Sequence, residues 1–311
     1  MKQKIFIAII VILALIAVVF LLKSNQKKES PSARISVVTT LFPLYDFAKN
    51  VGGDHVDVSL LLPPGVEAHS FEPTPSDIIT INRSDVFVYT GAFMEPWVED
   101  VIAGMQNDTV TIVNTSAHIA LINENEDHGD ESSHSGIDPH VWLDFDNAQK
   151  MVDAITDALA QKDPTHAGDY RTNAVQYKET LAQLDHTYAT TLAQCRRRDI
   201  VYGGHYAFGY MSKKYDLRYE AAYGISPNAE PSAQDLAQLV EQIKKNGITT
   251  IFYEDLLNPK IAETLARETN TKLLALTPAG NISKEDYQTG TTFVMLMEKN
   301  LQNLAQGLSC N

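Results

Sequence analysis

The chain has 311 residues, enough for two domains of ordinary size. Hydrophobic residues make up 44% and charged residues 21%, so most of it should fold around real cores. A formal net charge of -14 argues against a nucleic-acid partner and suits a protein that meets cations.

Taken in chain order, the first feature is Met1-Lys2-Gln3-Lys4 followed by an unbroken apolar run, 5–22. It reads as a secretory signal or, since neither an A-x-A site nor a cysteine follows, an uncleaved anchor over 1–22. That places the rest outside the cytoplasm, with membrane contact through this segment. Residues 23–34 are polar and Pro/Ser-containing, as in a flexible tether.

From Ile35 strands and helices alternate. ISVVTT, VDVSLLL, DVFVYTG and TVTIV read as strands. Helices are expected from Leu41 and from Thr74-Pro75-Ser76-Asp77, where an N-cap Thr, a Pro and a carboxylate three positions on form a helix start. The pattern predicts an α/β lobe with a parallel sheet over 35–147. Within it, 114–137 is acidic, Ser/Gly-rich and nearly free of apolar residues, as in a mobile surface loop. His118, His128 and His134 lie in or near its acidic stretch and read as a weak metal-collecting arm or as a solvated acidic surface.

The region 148–197 should be helical. Tyr170, Ala174, Tyr177, Leu181, Leu184, Tyr188 and Leu192 recur at steps of three and four, one apolar stripe on a helix from 167 to 194. Such a helix is about 40 Å long at 1.5 Å per residue, enough to run along two lobes. A second strand-helix series over 198–311 predicts another α/β lobe: strands RDIVYGG, TTIFYE and TKLLALTP, with helices from Ser232, over 259–268 and over 285–306. Cys195 and Cys310 are the only cysteines, and the export segment makes a disulfide between them plausible; two buried thiols are the alternative.

Three histidines stand out chemically: His69 in PPGVEAHSFEPTPSD, His140 in DPHVWLD and His205 in GGHYAFGY. They lie 71 and 65 residues apart, so only the tertiary fold can bring them together. His69 and His205 each follow a strand, where open α/β sheets bind ligands. Three imidazoles suit Zn²⁺; manganese favours more carboxylate. Asp138 and Asp144 flank His140 and could hold imidazole N–H groups or cap the following helix.

These motifs, with GISPNAEPSAQDL and IFYEDLLNPKIAETLA, resemble the ZnuA-like metal-binding solute-binding proteins of ABC importers, from about Ile35 to the C-terminus. The resemblance implies two α/β lobes joined by one long rigid helix, with a metal site in the cleft between them. It assigns the ligands to His69, His140 and His205, and the histidine at the third position points to zinc. It also implies a Cys195–Cys310 bridge and an acidic, His-bearing loop of the zinc type. The implied function is extracytoplasmic capture of Zn²⁺ by a monomer that delivers it to an ABC permease, not an enzyme. The alternatives are the same role for Mn²⁺ or Fe²⁺, a zinc-dependent hydrolase, or a surface adhesin. One departure is expected to matter. Many relatives carry a carboxylate ligand near the strand end that here reads LLALTPAGN, where this chain has Thr277. Water, Glu67 or Glu254 would then complete the site.

Overall fold

A computed structural model describes residues 34–123, 136–225 and 231–310. The first lobe is built from β1 (Ile35–Thr39), α1 (Phe42–Gly52), β2 (Val56–Leu60), α2 (Pro75–Arg83), β3 (Val86–Tyr89), α3 (Val98–Gly104) and β4 (Thr111–Asn114). Its strands lie in the order β2-β1-β3-β4, all parallel. The second lobe contains β5 (Asp199–Tyr202), α6 (Gly209–Lys214), β6 (Arg218–Ala221), α7 (Ala233–Lys245), β7 (Thr250–Tyr253), α8 (Lys260–Thr269), β8 (Lys272–Ala275), α9 (Lys284–Thr289) and α10 (Phe293–Gly307). Its order, β6-β5-β7-β8, again all parallel, repeats the first. In each sheet the chain reverses its direction of travel at the central pair, and such switch points open a crevice beyond the carboxyl ends of the strands.

Between the lobes run α4 (Phe145–Lys162) and α5 (Ala167–Ala193). The buried residues of α5 are Tyr170, Ala174, Tyr177, Leu181, Leu184, Tyr188 and Leu192, the stripe expected from the sequence. This face packs against α1 and α4 on the first lobe and α10 on the second. One apolar core therefore continues from Val37 and Phe47 through Tyr188 to Phe252 and Leu304, and smaller clusters lie on the outer faces of the two sheets. The Cys195–Cys310 disulfide fastens the end of α10 beside the end of α5.

Helix starts follow local chemistry. Thr74 and Ser232 each form a reciprocal capping box, with Asp77 and Asp235, satisfying N–H groups that the helix itself cannot. The single closing helix expected over 285–306 is instead two. Gly290 adopts φ 76 and ends α9, and Thr292 caps α10 by accepting from the Met295 N–H. A left-handed residue stops a helix whatever the apolar pattern beyond it.

The loop after β4 is held at its base. Asn123 pairs with Ile137, Asp138 N–H donates to Ile122 O, and Ile122 N–H donates to the Tyr210 hydroxyl. His128 and His134 lie outside the described residues, as do 5–22. Among the described residues, no helix is long and apolar enough to cross a membrane.

Candidate metal centre

Each of the three histidines is placed by a different device. His69 sits in the loop after β2, where Glu67 folds the backbone: its carboxylate accepts from the N–H groups of His69 (2.9 Å) and Ser70 (2.8 Å). His140 precedes the short 3-10 turn Val141–Leu143 at the foot of α4. His205 follows β5 through Gly203 and Gly204. A Cβ on Gly204 would stand 2.6 Å from the Tyr202 ring and 2.8 Å from a Glu254 oxygen, so glycine lets the turn close onto that carboxylate. Tyr219, on β6, fixes the same turn: its hydroxyl accepts from Ala207 N–H and donates to His205 O.

The three rings converge. Their centroids are 5.0–5.2 Å apart, and one nitrogen from each lies within 4.8 Å of the others. The Nε2 atom of His140 is 3.3 Å from that of His69 and 3.0 Å from that of His205. Nitrogens bound tetrahedrally at ~2.0–2.1 Å from a zinc ion stand roughly 3.3–3.4 Å apart, so these distances approach a coordination polyhedron.

Carboxylates fix the tautomers. Asp138 Oδ1 accepts from His140 Nδ1 at 2.8 Å and also from the His140 backbone N–H. Glu254, directly after β7 and so across the switch point from His205, accepts from His205 Nδ1 at 2.6 Å. With Nδ1 donating, each Nε2 carries a lone pair, and the two lone pairs face each other across 3.0 Å. A metal ion bound by both nitrogens would relieve that repulsion. Burial, then the neighbouring His205, pushes the His69 imidazole down to about 3; burial and both other histidines hold His140 well below its usual range. Neutral imidazoles bind metal, and protonated ones do not.

Asp144 does not join this set. It caps α4 by accepting from Asp146 N–H and takes a second bond from the Lys214 ammonium at 2.8 Å. A helix start and a nearby cation hold it away from the imidazoles. His118 is exposed on the turn after β4, outside the convergent group.

The sequence reading missed the residues that stitch the segment 277–282 of the second lobe to the first. Trp142 packs its ring against His140 and donates Nε1–H to Pro278 O at 2.7 Å. Asn281 donates to Pro63 O and Val66 O, and Gly280 O accepts from Phe42 N–H. A buried tryptophan next to a candidate ligand was the one available signal, since the indole N–H needs a partner. The site thus lies in the cleft, beside a cavity of about 30 Å³.

A family model described as ZnuA, the periplasmic zinc-uptake complex component A, matches residues 37–307. The zinc-binding lipoprotein AdcA of Streptococcus pneumoniae is 36% identical over 301 residues, 95% of this chain and 60% of that protein. The chain therefore spans about 60% of the length of such AdcA relatives. The high-affinity zinc uptake system protein ZnuA of Bacillus subtilis is 36% identical over 287 residues, covering 90% of this chain and 89% of that one. Among solved structures, the Zn(II)-bound ZnuA-like domain of S. pneumoniae AdcA superposes with a TM-score of 0.77 at 35% identity, covering 89% of this chain and 99% of that domain. With its two like-ordered parallel sheets and three converging histidines, the chain belongs to the ZnuA family of zinc-uptake components.

Proposed function

We propose that this protein captures Zn²⁺ outside the cytoplasm and hands it to an ABC permease. The observation that carries the reading is the opposed pair of lone pairs on His140 and His205, each tautomer locked by a buried carboxylate, with His69 closing the triangle. His69, His140 and His205 are the ligands; Asp138 and Glu254 orient two of them. Orienting carboxylates of this kind raise ligand basicity and lower the cost of assembling the site. His69, the most exposed of the three, sits where an ion enters and leaves.

Three nitrogen donors favour zinc over manganese or ferrous iron, which take more oxygen ligands. The binding role is also supported over hydrolysis, because Asp138 and Glu254 already accept from imidazoles and are not poised as general bases. The disulfide suits an oxidising compartment, and the apolar run 5–22 would hold the protein at the outer face of the membrane as a monomer. The stitching of 277–282 to the first lobe, with α5 packed along both, favours ion release by local shifts of the ligand-bearing loops over rotation of whole lobes.

Competition binding with elemental analysis tests the metal. The purified protein should retain one zinc per chain in the presence of equal manganese. Displacement of zinc by manganese at equal concentration would overturn the assignment.

A further inference from the structure

Helix α6 starts at Gly209, just after His205, and reaches across to the segment that carries His140. It packs on β6 and on the 3-10 turn Val141–Leu143 that follows His140. At its start, Gly209 leaves room for the Asp138 carboxylate, which a Cβ there would strike. Next, the Tyr210 hydroxyl accepts from Ile122 N–H, and Ile122 O in turn accepts from Asp138 N–H. At its end, the Lys214 ammonium meets three carboxylates: Asp144 at 2.8 Å, Asp146 at 2.8 Å and Asp185 at 3.2 Å. Asp144 and Asp146 open α4 directly after the His140 turn, and Asp185 lies on α5. The Tyr215 hydroxyl donates to the same Asp185 oxygen at 2.6 Å. The Lys214 side chain is only 15% exposed, so salt screens this clamp less than an ordinary surface ion pair.

Something must hold His140 and His205 together before an ion arrives. Their Nε2 lone pairs oppose each other at 3.0 Å, and a metal-free site would lower its energy by letting the rings part. We propose that Lys214 is a positioning residue for metal capture: its clamp on Asp144, Asp146 and Asp185 holds α6, and with it the His205 loop, against the His140 segment, so that the site stays assembled without metal. This rests on the three-histidine reading above. Without the clamp the assembled arrangement becomes a smaller fraction of the metal-free protein, and apparent affinity falls by that fraction. Direct electrostatics carries the opposite sign, because losing a positive charge favours a dication. A loss of affinity on removing Lys214 therefore reports geometry and not charge.

The test measures zinc affinity of the full chain by chelator competition in the wild type, Lys214→Met, Lys214→Arg and Lys178→Met. Lys178 bonds Asp153 between α5 and α4, so its variant loses the same charge and an ion pair across those helices but leaves the α6 clamp intact. Lys214→Met should weaken zinc binding about 10-fold, within the range for residues that act through intervening contacts. Lys214→Arg keeps a cation for the carboxylates and should stay within about threefold of wild type. Lys178→Met should match wild type. Lys214→Met within about twofold of wild type, an equal loss in Lys178→Met, or Lys214→Arg as weak as Lys214→Met would overturn the proposal. Should circular dichroism show Lys214→Met unfolded, Asp185→Asn takes its place: it weakens one arm of the clamp, leaves Tyr215 an acceptor, and should cost about threefold, with no loss counting against the proposal. If His205→Ala binds zinc as tightly as wild type, the three-histidine reading fails and this inference falls with it; if His205→Ala loses zinc while Lys214→Met does not, only this inference fails.

Discussion

Replacing Glu254 by Gln isolates the contribution of one buried charge. The amide keeps the volume and an acceptor for His205 Nδ1 but loses the negative charge, which stands 2.6 Å from that nitrogen. Across the ring, the carboxylate would lie ~6–7 Å from a zinc bound at Nε2 at ~2.0–2.1 Å. A double positive and a single negative charge at that separation interact by about 1 kcal/mol in a medium like water and about 5 kcal/mol at an effective dielectric of ~20. Changes to such orienting carboxylates typically weaken metal binding by about 10–100-fold, or ~1.4–2.7 kcal/mol, which lies inside that range. We therefore expect Glu254→Gln to weaken zinc binding by about 10–100-fold, measured by competition with a chromogenic chelator. Circular dichroism of the metal-free variant should match the wild type. A dissociation constant within about twofold of wild type, with the fold intact, would refute the role given to Glu254.

Other expectations concern the scaffold and pH. His69 is held at about 3, far below its ordinary 6.5, so between those values the unfolded chain binds a proton there and the folded chain does not. Stability of the metal-free protein should fall as pH drops below 6.5, by up to about 1.4 kcal/mol per pH unit for this one group; a melting temperature independent of pH over that range would contradict it. Asp46, buried on α1 beneath the Tyr177 hydroxyl, is pushed up to about 6 by burial, so folding loses stability as pH rises through 3.8 to 6. Asp46→Asn should remove that dependence and stabilise the neutral-pH protein by up to about 3 kcal/mol in urea melts; a destabilised variant would show that the charge is needed. Replacing Cys195 and Cys310 by Ser opens a link across 115 residues and should cost up to about 4–5 kcal/mol of stability, read by denaturant melts, with zinc affinity unchanged. A change in zinc affinity instead would mean that the bridge shapes the cleft.

What the sequence made legible was local or periodic. The stripe from Tyr170 to Leu192 repeats at helical spacing, and the capping boxes at Thr74 and Ser232 are complete within four residues. The three histidines sit in short, distinctive stretches after strands or before a helix, so their convergence could be anticipated. Other features were hidden for physical reasons. Strand β6 is an edge strand whose residues alternate between exposed and half-buried, and Arg218-Tyr219-Glu220 looks like a polar loop. The break at Gly290 rests on one backbone angle, while apolar residues continue the helical rhythm beyond it. Asp138 and Asp144 are equivalent on paper; only the fold gives one to an imidazole and the other to Lys214. The bond from Trp142 to Pro278 joins positions 136 residues apart and leaves no local trace.

The most direct test of the central claim is zinc-edge anomalous scattering from crystals of the zinc-loaded protein. The account predicts one peak in the cleft, about 2.0–2.1 Å from Nε2 of each of His69, His140 and His205. A peak bound by fewer than these three histidines, or one lying elsewhere on the chain, would contradict it.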